Sequence, residues 1–297
     1  MVILDSELNR GMQKQPTIDI IGVPVTYLSL REQISQITGW AEKRISKVVC
    51  VANVHMLMES RTNAKLRSIL GKADLVTPDG MPIVWMMQLL GLHAQDRVAG
   101  MDIFEKGCCQ CEQRGISIYL IGSTQNVLNK MKLRIQKEFP NLSIAGIESP
   151  PFRPLSQAEN NATAERINKS GAGITFVSLG CPKQEQWMAL HAGNIQSVMI
   201  GVGAVFPVYA KVLQHAPNWI RQSGLEWLYR WLQEPRRLSG RYVKTIPPFI
   251  YLALRQIQTE KIFNSQWLSP KVRITNTVVS MRKAKRPSPQ RITHKAH

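Results

Sequence analysis

The sequence contains no uninterrupted apolar run of about 18 residues, although 44% of its 297 residues are hydrophobic. A transmembrane helix needs such a run, so the sequence predicts none. The N-terminal stretch MVILDSELNRGMQKQPT carries charges within its short apolar start and has no small-residue cleavage site, so we do not expect a signal peptide. Length and apolar content predict a globular protein of one large or two small domains.

Cysteine is scarce, and histidine shows no pattern. Three of the five cysteines cluster in GCCQCEQR (107–114), a spacing that fits neither a zinc site nor a disulfide framework. Reduced, structural thiols in a cytoplasmic protein are therefore expected. The six histidines are scattered without ligand spacing. We expect no metal and no cofactor.

Acidic residues are few, with 20 Asp and Glu against 38 Lys and Arg. The excess is concentrated between Arg236 and His297, where fourteen Lys and Arg accompany a single acid, Glu260. Such a segment attracts phosphate, on nucleic acid or on an anionic membrane surface. Its last part, MRKAKRPSPQRITHKAH, is poor in apolar residues and is predicted to be disordered.

No internal repeat is found, and up to about residue 206 short apolar runs alternate with longer amphipathic stretches. The predicted strands are 18–25, 47–53, 73–78, 116–123, 142–147, 174–180 and 198–206. The predicted helices are 29–44, 62–71, 80–91, 101–114, 125–138, 157–169 and 183–193. This order predicts βαβ units, an α/β fold and a mainly parallel sheet that is buried on both faces.

Four segments are predicted: an N-terminal extension (1–17), an α/β core (18–206), an appendage (207–260) and a basic, disordered tail (261–297). The appendage is rich in Trp and Arg and should be helical, with breaks at Pro235 and at Pro247 and Pro248. In parallel sheets, sites form where strands end and helices begin. Residues at such ends are therefore candidates for substrate contacts, and they include Thr77, Gly122, Gly201 and Gly203.

Asp79, in the stretch LVTPDGMPIVW, follows a strand and precedes a helix that should start near Gly80 or Met81. One interpretation is a turn or N-cap residue that accepts backbone N–H bonds. The other is a general base at the carboxyl end of a strand.

The stretch LGCPKQEQW places Lys183 and Gln184 in the first turn of a helix. Free backbone N–H groups there favour anions, Lys183 adds charge, and Gln184 can donate and accept hydrogen bonds. The alternative is a solvated helix start.

IGVGAVF (200–206) has only the first two glycines of a dinucleotide fingerprint, and the third position is Phe206.

The sequence allows two interpretations each for Arg97 and for His55. Arg97, in DRVAGMD, could hold a phosphate or carboxylate, or could pair on the surface with Asp96 or Asp102. His55 follows a strand end and could face a site, although a packed or solvated histidine is the commoner outcome for such a position.

Eight motifs, taken in order, resemble the WecG/TagA/CpsF family of glycosyltransferases (glycosyltransferase family 26) over residues 18 to 245. The motifs are VANVHMLME, ADLVTPDGMPIVW, DRVAGMD, IYLIGS, VSLGCPKQEQW, IGVGAVF, HAPNWI and GLEWLYRWLQEPRR. The resemblance implies a Rossmann-like core with a C-terminal appendage that helps to close the site near the membrane. It also implies an inverting, metal-independent transfer from a UDP-sugar to a polyprenyl-diphosphate-linked acceptor in cell-surface polysaccharide synthesis.

The resemblance also implies roles for individual residues. Asp79 matches the family's proposed general base, Gln184 matches a polar residue that lines the site, and Asn53 lies in the motif of the sugar pocket. The region that reaches the UDP diphosphate contains Arg230, Arg236, Arg237 and Arg241.

Three positions depart from the family pattern. Val51 and Ala52 stand where many members have Thr-Pro, Pro207 follows Phe206 where many have Asp, and His215 precedes Ala216-Pro217 where many have Arg. The first change bears on the sugar that is accepted. The other two indicate a subgroup whose donor or acceptor differs from that of the N-acetylmannosamine enzymes.

Two other function classes compete with the glycosyltransferase. A nucleotide-sugar oxidoreductase or epimerase would need a complete dinucleotide fingerprint, and a nucleic-acid-binding protein would explain only the basic tail. The expected partners are a UDP-sugar such as UDP-N-acetylmannosamine or UDP-glucose, the lipid-linked acceptor and an anionic membrane surface. A homo-oligomer is possible and nucleic acid is not expected. The protein should lie in the cytoplasm, bound peripherally to the inner face of the plasma membrane.

Overall fold

The computed structural model describes residues 15–266, which form eight strands and twelve helices. The strands are β1 (Thr17–Ile20), β2 (Val23–Thr26), β3 (Lys47–Ala52), β4 (Leu75–Pro78), β5 (Ile118–Gly122), β6 (Ile144–Glu148), β7 (Ile174–Ser178) and β8 (Val198–Gly201). The first helices are α1 (Leu30–Glu42), α2 (Val54–Thr62), α3 (Ala64–Lys72), α4 (Met81–Leu89), α5 (Gly100–Arg114) and α6 (Gln125–Glu138). The remaining helices are α7 (Gln157–Ser170), α8 (Lys183–Leu190), α9 (Val205–Tyr209), α10 (Asn218–Gln222), α11 (Glu226–Gln233) and α12 (Pro235–Gln266).

Six strands form one parallel sheet in the order β4-β3-β8-β7-β5-β6. Successive side chains along a strand enter different cores: Val49 packs on one face, whereas Val48 and Cys50 pack on the other. Both faces are covered by helices, which explains why the strands are apolar throughout. The predicted α/β fold with a buried parallel sheet is confirmed.

Local signals begin and end the helices that cover the sheet. The Ser29 hydroxyl accepts a hydrogen bond from the Glu32 N–H while the Glu32 carboxylate accepts one from the Ser29 N–H, so a capping box starts α1. α2 and α3 each start after an asparagine, Asn53 and Asn63, whose side chain accepts a backbone N–H. These short loops place helix N-termini beside strand ends.

The predicted strand 18–25 is wrong in form. It is an antiparallel hairpin, β1 and β2, that pairs only with itself and lies outside the parallel sheet. Its turn is Ile21-Gly22, and both residues have positive φ, 52° and 83°. A two-residue turn of this kind matches the twist of hairpin strands, and Gly22 adopts it without a steric cost.

The predicted strand 198–206 is also too long. β8 ends at Gly201, Gly203 adopts a φ of 55°, and the chain then enters the short helix α9. Phe206 is fully buried, so its apolar character reflects packing in the core rather than a continued strand.

The predicted break at Pro235 is confirmed, because α11 ends at Gln233 and α12 starts at Pro235. The predicted breaks at Pro247 and Pro248 are wrong, because α12 runs through them without interruption to Gln266. Pro235 is its first residue, a position that needs no N–H donor. Pro247 and Pro248 lie on the exposed side, where water can satisfy the carbonyls of Val243 and Lys244.

α12 also continues past the predicted start of the tail at residue 261, and residues 1–14 and 267–297 lie outside the described residues. The predicted N-terminal extension and most of the predicted disordered tail therefore fall outside them. Within residues 15–266, no helix combines the length and the apolar character that a membrane crossing requires.

Candidate active site

A cavity of about 360 Å³ opens at the carboxyl ends of the parallel strands. Its walls come from the residues that follow β3, β4, β5, β7 and β8, and from the appendage helices α11 and α12. Ten of the sequence-predicted site residues line it: Asn53, His55, Asp79, Arg97, Gln184, Gly201, Gly203, Arg230, Arg237 and Arg241. The position of the cavity agrees with the general rule for sites in open α/β sheets.

Asp79 is the first residue after β4, and its backbone N–H donates to the Ala52 carbonyl at 2.9 Å. The N-cap of α4 is Gly80, without a side-chain cap, so the prediction that Asp79 caps this helix is wrong. The Asp79 carboxylate instead accepts the backbone N–H of Gly100, the first residue of α5. The side chain is thus held between two elements and faces the cavity.

Opposing influences act on the pKa of Asp79, and those that raise it are the stronger. Burial raises the pKa of this carboxyl to about 6, and the nearby Glu226 carboxylate acts in the same direction. Arg97, Arg230 and the Gly100 N–H lower the pKa, but they do not cancel the rise. A carboxylate with such a pKa is ionised at neutral pH and accepts a proton more readily than an ordinary aspartate.

Arg97 is held by the appendage and not by its own loop. Its Nη1 donates to Glu226 Oε2 at 3.0 Å, and the side chain is only 14% exposed. The prediction of a surface pair with Asp96 or Asp102 is therefore wrong. Arg230 Nε lies 3.3 Å from the other oxygen, Glu226 Oε1, so one carboxylate joins two cavity arginines.

The remaining predicted arginines differ in position. Arg237 and Arg241, on α12, line the cavity, and Arg237 also pairs with Glu234 at 2.6 Å. Arg236 is exposed and lies outside the cavity lining. Four arginines and two carboxylates, Asp79 and Glu226, therefore give the described cavity a positive balance that suits an anionic ligand.

Two residues in the first turn of α8 are buried, so the alternative of a solvated helix start holds for Lys183 but not for Gln184 and Glu185. Gln184 is 3% exposed and Glu185 is 0% exposed, and Gln184 Nε2 donates to Glu185 Oε1 at 2.7 Å. Burial raises the pKa of Glu185, whereas the hydrogen bond from Gln184 lowers it. Lys183 is exposed and does not line the cavity.

Asn53 and His55 flank the start of α2. The Asn53 side-chain oxygen accepts the Met56 N–H at 3.1 Å, so its Nδ2 is the atom that can still donate into the cavity. His55 is half-buried, and burial together with the Arg241 charge lowers its pKa. A neutral imidazole is therefore favoured at this position.

The small residues at the strand ends allow close approach. A Cβ on Gly201 would lie 2.8 Å from Met188 Cε, and Gly203 borders Gln184. Gly122 contacts the Ser178 backbone and, like Thr77, lies outside the cavity lining. Thr77 is fully buried, and its hydroxyl donates to the Val98 carbonyl at 3.4 Å.

Four polar residues that line the cavity were not among the sequence-predicted site residues: Ser123, Ser178, Glu226 and His215. Of these, His215 was noted in the sequence only as a departure from the family pattern. Ser123 and Ser178 stand at the ends of β5 and β7, so their location was the available signal. The Ser178 hydroxyl donates to the Gly203 carbonyl at 2.6 Å. The pKa of His215 is lowered by burial and by Arg221. Glu226 is the acid within GLEWLYRW, among many basic residues.

Within residues 15–266, no group of three or more His, Cys, Asp or Glu side chains is arranged to hold a metal ion. All five cysteines are free thiols, and three of them are fully buried.

The sheet, the cavity at its carboxyl edge and the raised pKa of Asp79 define an α/β protein with an enzyme-like site. Residues 18–262 match the model of the Glycosyl transferase WecG/TagA/CpsF family, and the chain belongs to this glycosyltransferase family. The resemblance inferred from the eight motifs is therefore confirmed.

Two curated relatives support this assignment, and each is an N-acetylglucosaminyldiphosphoundecaprenol N-acetyl-beta-D-mannosaminyltransferase. The one from Bacillus spizizenii is 27% identical over 219 residues, which cover 73% of this chain and 82% of the relative. The one from Bacillus subtilis is 25% identical over 225 residues, which cover 75% of this chain and 85% of the relative.

Proposed function

We propose that the protein transfers a sugar from a UDP-sugar to a sugar hydroxyl of a polyprenyl-diphosphate-linked acceptor, with inversion at the anomeric carbon. The observation that carries the proposal is Asp79, a half-buried carboxylate with a raised pKa of about 6, in a cavity that four arginines line. Both relatives are named for transfer to a diphosphoundecaprenol-linked sugar, which supports the acceptor class.

Asp79 is the general base of this proposal. Its carboxylate takes the proton from the acceptor hydroxyl while that oxygen attacks the anomeric carbon and the bond from this carbon to the UDP oxygen breaks. A single displacement of this kind inverts the anomeric configuration. The proton remains on Asp79 until solvent removes it, and UDP leaves as the second product.

The leaving diphosphate is stabilised by arginines. Arg97, Arg230, Arg237 and Arg241 reach the cavity from three different elements of the chain. Guanidinium groups bind diphosphate oxygens through paired N–H donors, so they can carry the charge that a divalent cation carries in other transferases. The reaction is therefore proposed to be metal-independent.

A lipid-linked acceptor requires access to a membrane surface. The appendage exposes large apolar side chains, including Trp219 (68% exposed), Leu232 (67%) and Tyr251 (64%). Aromatic side chains suit the membrane interface, and the basic C-terminal segment is attracted to anionic lipid. The appendage thus joins the cavity to the surface where the acceptor would lie.

The donor sugar is left open between N-acetylmannosamine, glucose and related hexoses. Three of the four residues that depart from the family pattern, Val51, Pro207 and His215, line the cavity. Val51 removes a hydroxyl from the wall near Asn53, so hydrogen bonding to the sugar differs at this point. This supports a sugar preference that differs from that of family members with threonine at this position.

A UDP-release assay tests the proposal. The purified full-length protein is incubated with UDP-N-acetylmannosamine, UDP-glucose or UDP-N-acetylglucosamine, each with and without a short polyprenyl-diphosphate-sugar. We expect acceptor-dependent UDP release with one donor above the others. No release from any pair, together with NAD or nucleic acid in the ultraviolet spectrum of the purified protein, would overturn the proposal.

A further inference from the structure

One wall of the cavity presents a hydrogen-bond acceptor that has no partner. Gln184 Oε1 is buried, and among the described residues no group donates to it. The other end of the same amide, Nε2, donates to Glu185 Oε1 at 2.7 Å. Because Gln184 lines the cavity, its unpaired oxygen is the polar atom that this side chain offers to a bound molecule.

Glu185 determines which end of the amide faces the cavity. Burial raises the pKa of Glu185, whereas the hydrogen bonds from Gln184 and from the Cys181 thiol favour its charged form. An ionised carboxylate oxygen only accepts hydrogen bonds, so the amide group that faces it is NH₂, as in the contact from Gln184 Nε2. Glu185 is 0% exposed and does not line the cavity, so it acts only through its neighbours.

Packing leaves the Gln184 side chain little freedom. A Cβ on Gly201 would lie 3.0 Å from Gln184 Nε2, and one on Gly203 would lie 3.7 Å from Gln184 Oε1. The absence of a Cβ at the end of β8 and in the loop that follows therefore leaves room for this amide. A side chain held by a hydrogen bond and by packing presents its free atom in one direction.

The chemistry of this oxygen excludes a phosphate contact. Phosphate oxygens are acceptors, so an amide oxygen repels them and requires an N–H or O–H donor instead. We propose that Glu185 is a positioning residue that fixes Gln184 Oε1 toward a hydroxyl or acetamido N–H of a bound sugar, while the arginines of the cavity hold the diphosphate. This inference rests on the proposed glycosyltransfer and deepens it.

Two substitutions and their combination test the inference in the full-length protein. Glu185→Gln keeps the shape but lets the Gln184 amide present either end to the cavity, and Gln184→Met removes the acceptor oxygen. Each should raise the KM of the sugar substrate that Gln184 contacts by about tenfold, which is the effect expected for one hydrogen bond. UDP affinity, measured by calorimetry, should stay within twofold of wild type.

The double variant distinguishes positioning from independent action. If Glu185 works through Gln184, the double variant should be no worse than Gln184→Met alone. Multiplied effects would overturn the inference, as would an equal loss of UDP affinity in the single variants. If Glu185→Gln fails to fold, Gln184→Met alone still decides, because unchanged KM values for both sugar substrates would also overturn the proposal.

The assays identify which sugar is contacted and separate this inference from the proposed function. A raised KM for the UDP-sugar places Gln184 at the donor sugar, whereas a raised KM for the lipid-linked substrate places it at the acceptor sugar. Gln186→Met, on the same helix but outside the cavity lining, is the matched control. Absence of UDP binding to the wild-type protein would contradict the proposed function itself.

Discussion

At the residue scale, Asp79 is ionised at neutral pH although its surroundings disfavour the charge. Burial and the Glu226 carboxylate raise its pKa from 3.8 to about 6. Ionisation therefore destabilises the folded protein at neutral pH, an energetic cost that a residue with only a structural role would not need. Such a cost at the wall of a cavity is typical of catalytic groups.

Asp79→Asn should lower turnover by about 10²- to 10⁴-fold, the usual range for the loss of a general base. The amide keeps the shape of the side chain but cannot accept the proton. UDP affinity should remain near wild type, since the carboxylate acts on the acceptor hydroxyl. Steady-state kinetics and calorimetry measure the two effects, and Asp96→Asn, an exposed acid nearby, is the matched control. Near-normal turnover would make His55 the next candidate for the base.

The same variant makes a prediction about stability. Because the folded-state pKa of Asp79 is higher than its unfolded value, wild-type stability decreases as pH rises from about 4 to about 6. Asp79→Asn lacks this titration. Its melting temperature should therefore exceed that of wild type at pH 8, and the two should converge near pH 4. A lower melting temperature than wild type at pH 8 would show that the carboxylate stabilises the fold.

How much of the site the sequence predicted depends on whether a residue's role is local. Asp79 and Asn53 stand directly after strands, and Gln184 stands in the first turn of the helix that follows β7, so the pattern of strands and helices placed all three at one edge of the sheet. Glu226 was missed because its contact with Arg97 joins residues 129 positions apart, which no local pattern records. Likewise, Gln184 and Glu185 are buried by tertiary packing, which the polar sequence PKQE does not predict.

At the element scale, α11 is joined to the core through Glu226. This carboxylate binds Arg97 from the loop before α5 and Arg230 from α11 itself, and it raises the pKa of Asp79. The same side chain thus contacts the core from the appendage and raises the proton affinity of Asp79.

Glu226→Gln should shift the acidic limb of the pH profile. In wild type, kcat/KM should fall about tenfold per pH unit below the Asp79 pKa of about 6, because the protonated base is inactive. Removing the Glu226 charge lowers this pKa, so the limb should move to lower pH. Glu165→Gln, which breaks a surface pair with Lys169 on α7, is the control. An unchanged limb would show that Asp79 is not the titrating group.

Arginines from three elements also predict that the enzyme tolerates chelation. Arg97 precedes α5, Arg230 lies on α11, and Arg237 and Arg241 lie on α12. If they neutralise the diphosphate, turnover should be unaffected by EDTA and should fall at least tenfold in Arg97→Gln or Arg241→Gln. Rates are measured by UDP release. Loss of activity in EDTA with recovery on adding Mg²⁺ or Mn²⁺ would assign the charge to a metal instead.

The elements themselves were well predicted where hydrophobic periodicity is strong. All six strands of the parallel sheet were found, because strands buried on both faces are continuously apolar. The hairpin was missed because IDIIGVPV is apolar on both sides of its turn, and Ile21 gives no sign of a positive φ. The breaks at Pro247 and Pro248 were predicted wrongly because the effect of a proline depends on whether water reaches the carbonyls that lose their hydrogen bonds. The sequence does not show this.

At the scale of the whole molecule, α12 connects the appendage to the β1-β2 hairpin. Leu238 and Phe249 are buried, and the Gln256 side chain accepts the Ile21 N–H at 2.9 Å and donates to the Asp19 carbonyl at 2.7 Å. A truncation that removed α12 would therefore disturb the fold and remove Arg241 from the cavity. A cut after Gln266 leaves these contacts in place.

Truncation after Gln266 should separate membrane binding from catalysis. Residues 267–297 carry eight Lys and Arg and no acid, and each basic residue near an anionic surface contributes about 1 kcal/mol of attraction. The shortened protein should keep its melting temperature and its turnover on a short acceptor in detergent, since no described contact is lost. At low salt, much less of the shortened protein than of wild type should float with anionic liposomes. The remaining binding should come from the exposed aromatic side chains of the appendage.

A full-length variant with these eight residues changed to Gln is the matched control, since it keeps the chain but removes the charge. It should behave like the truncated protein, and wild-type binding should fall as salt rises from 50 to 500 mM, because salt screens exposed charges over about a nanometre or less. Binding by the truncated protein that equals wild type and does not respond to salt would contradict the electrostatic role. Membrane contact would then rest on the apolar side chains of α10, α11 and α12, and substitutions such as Trp219→Ser would be needed to abolish it.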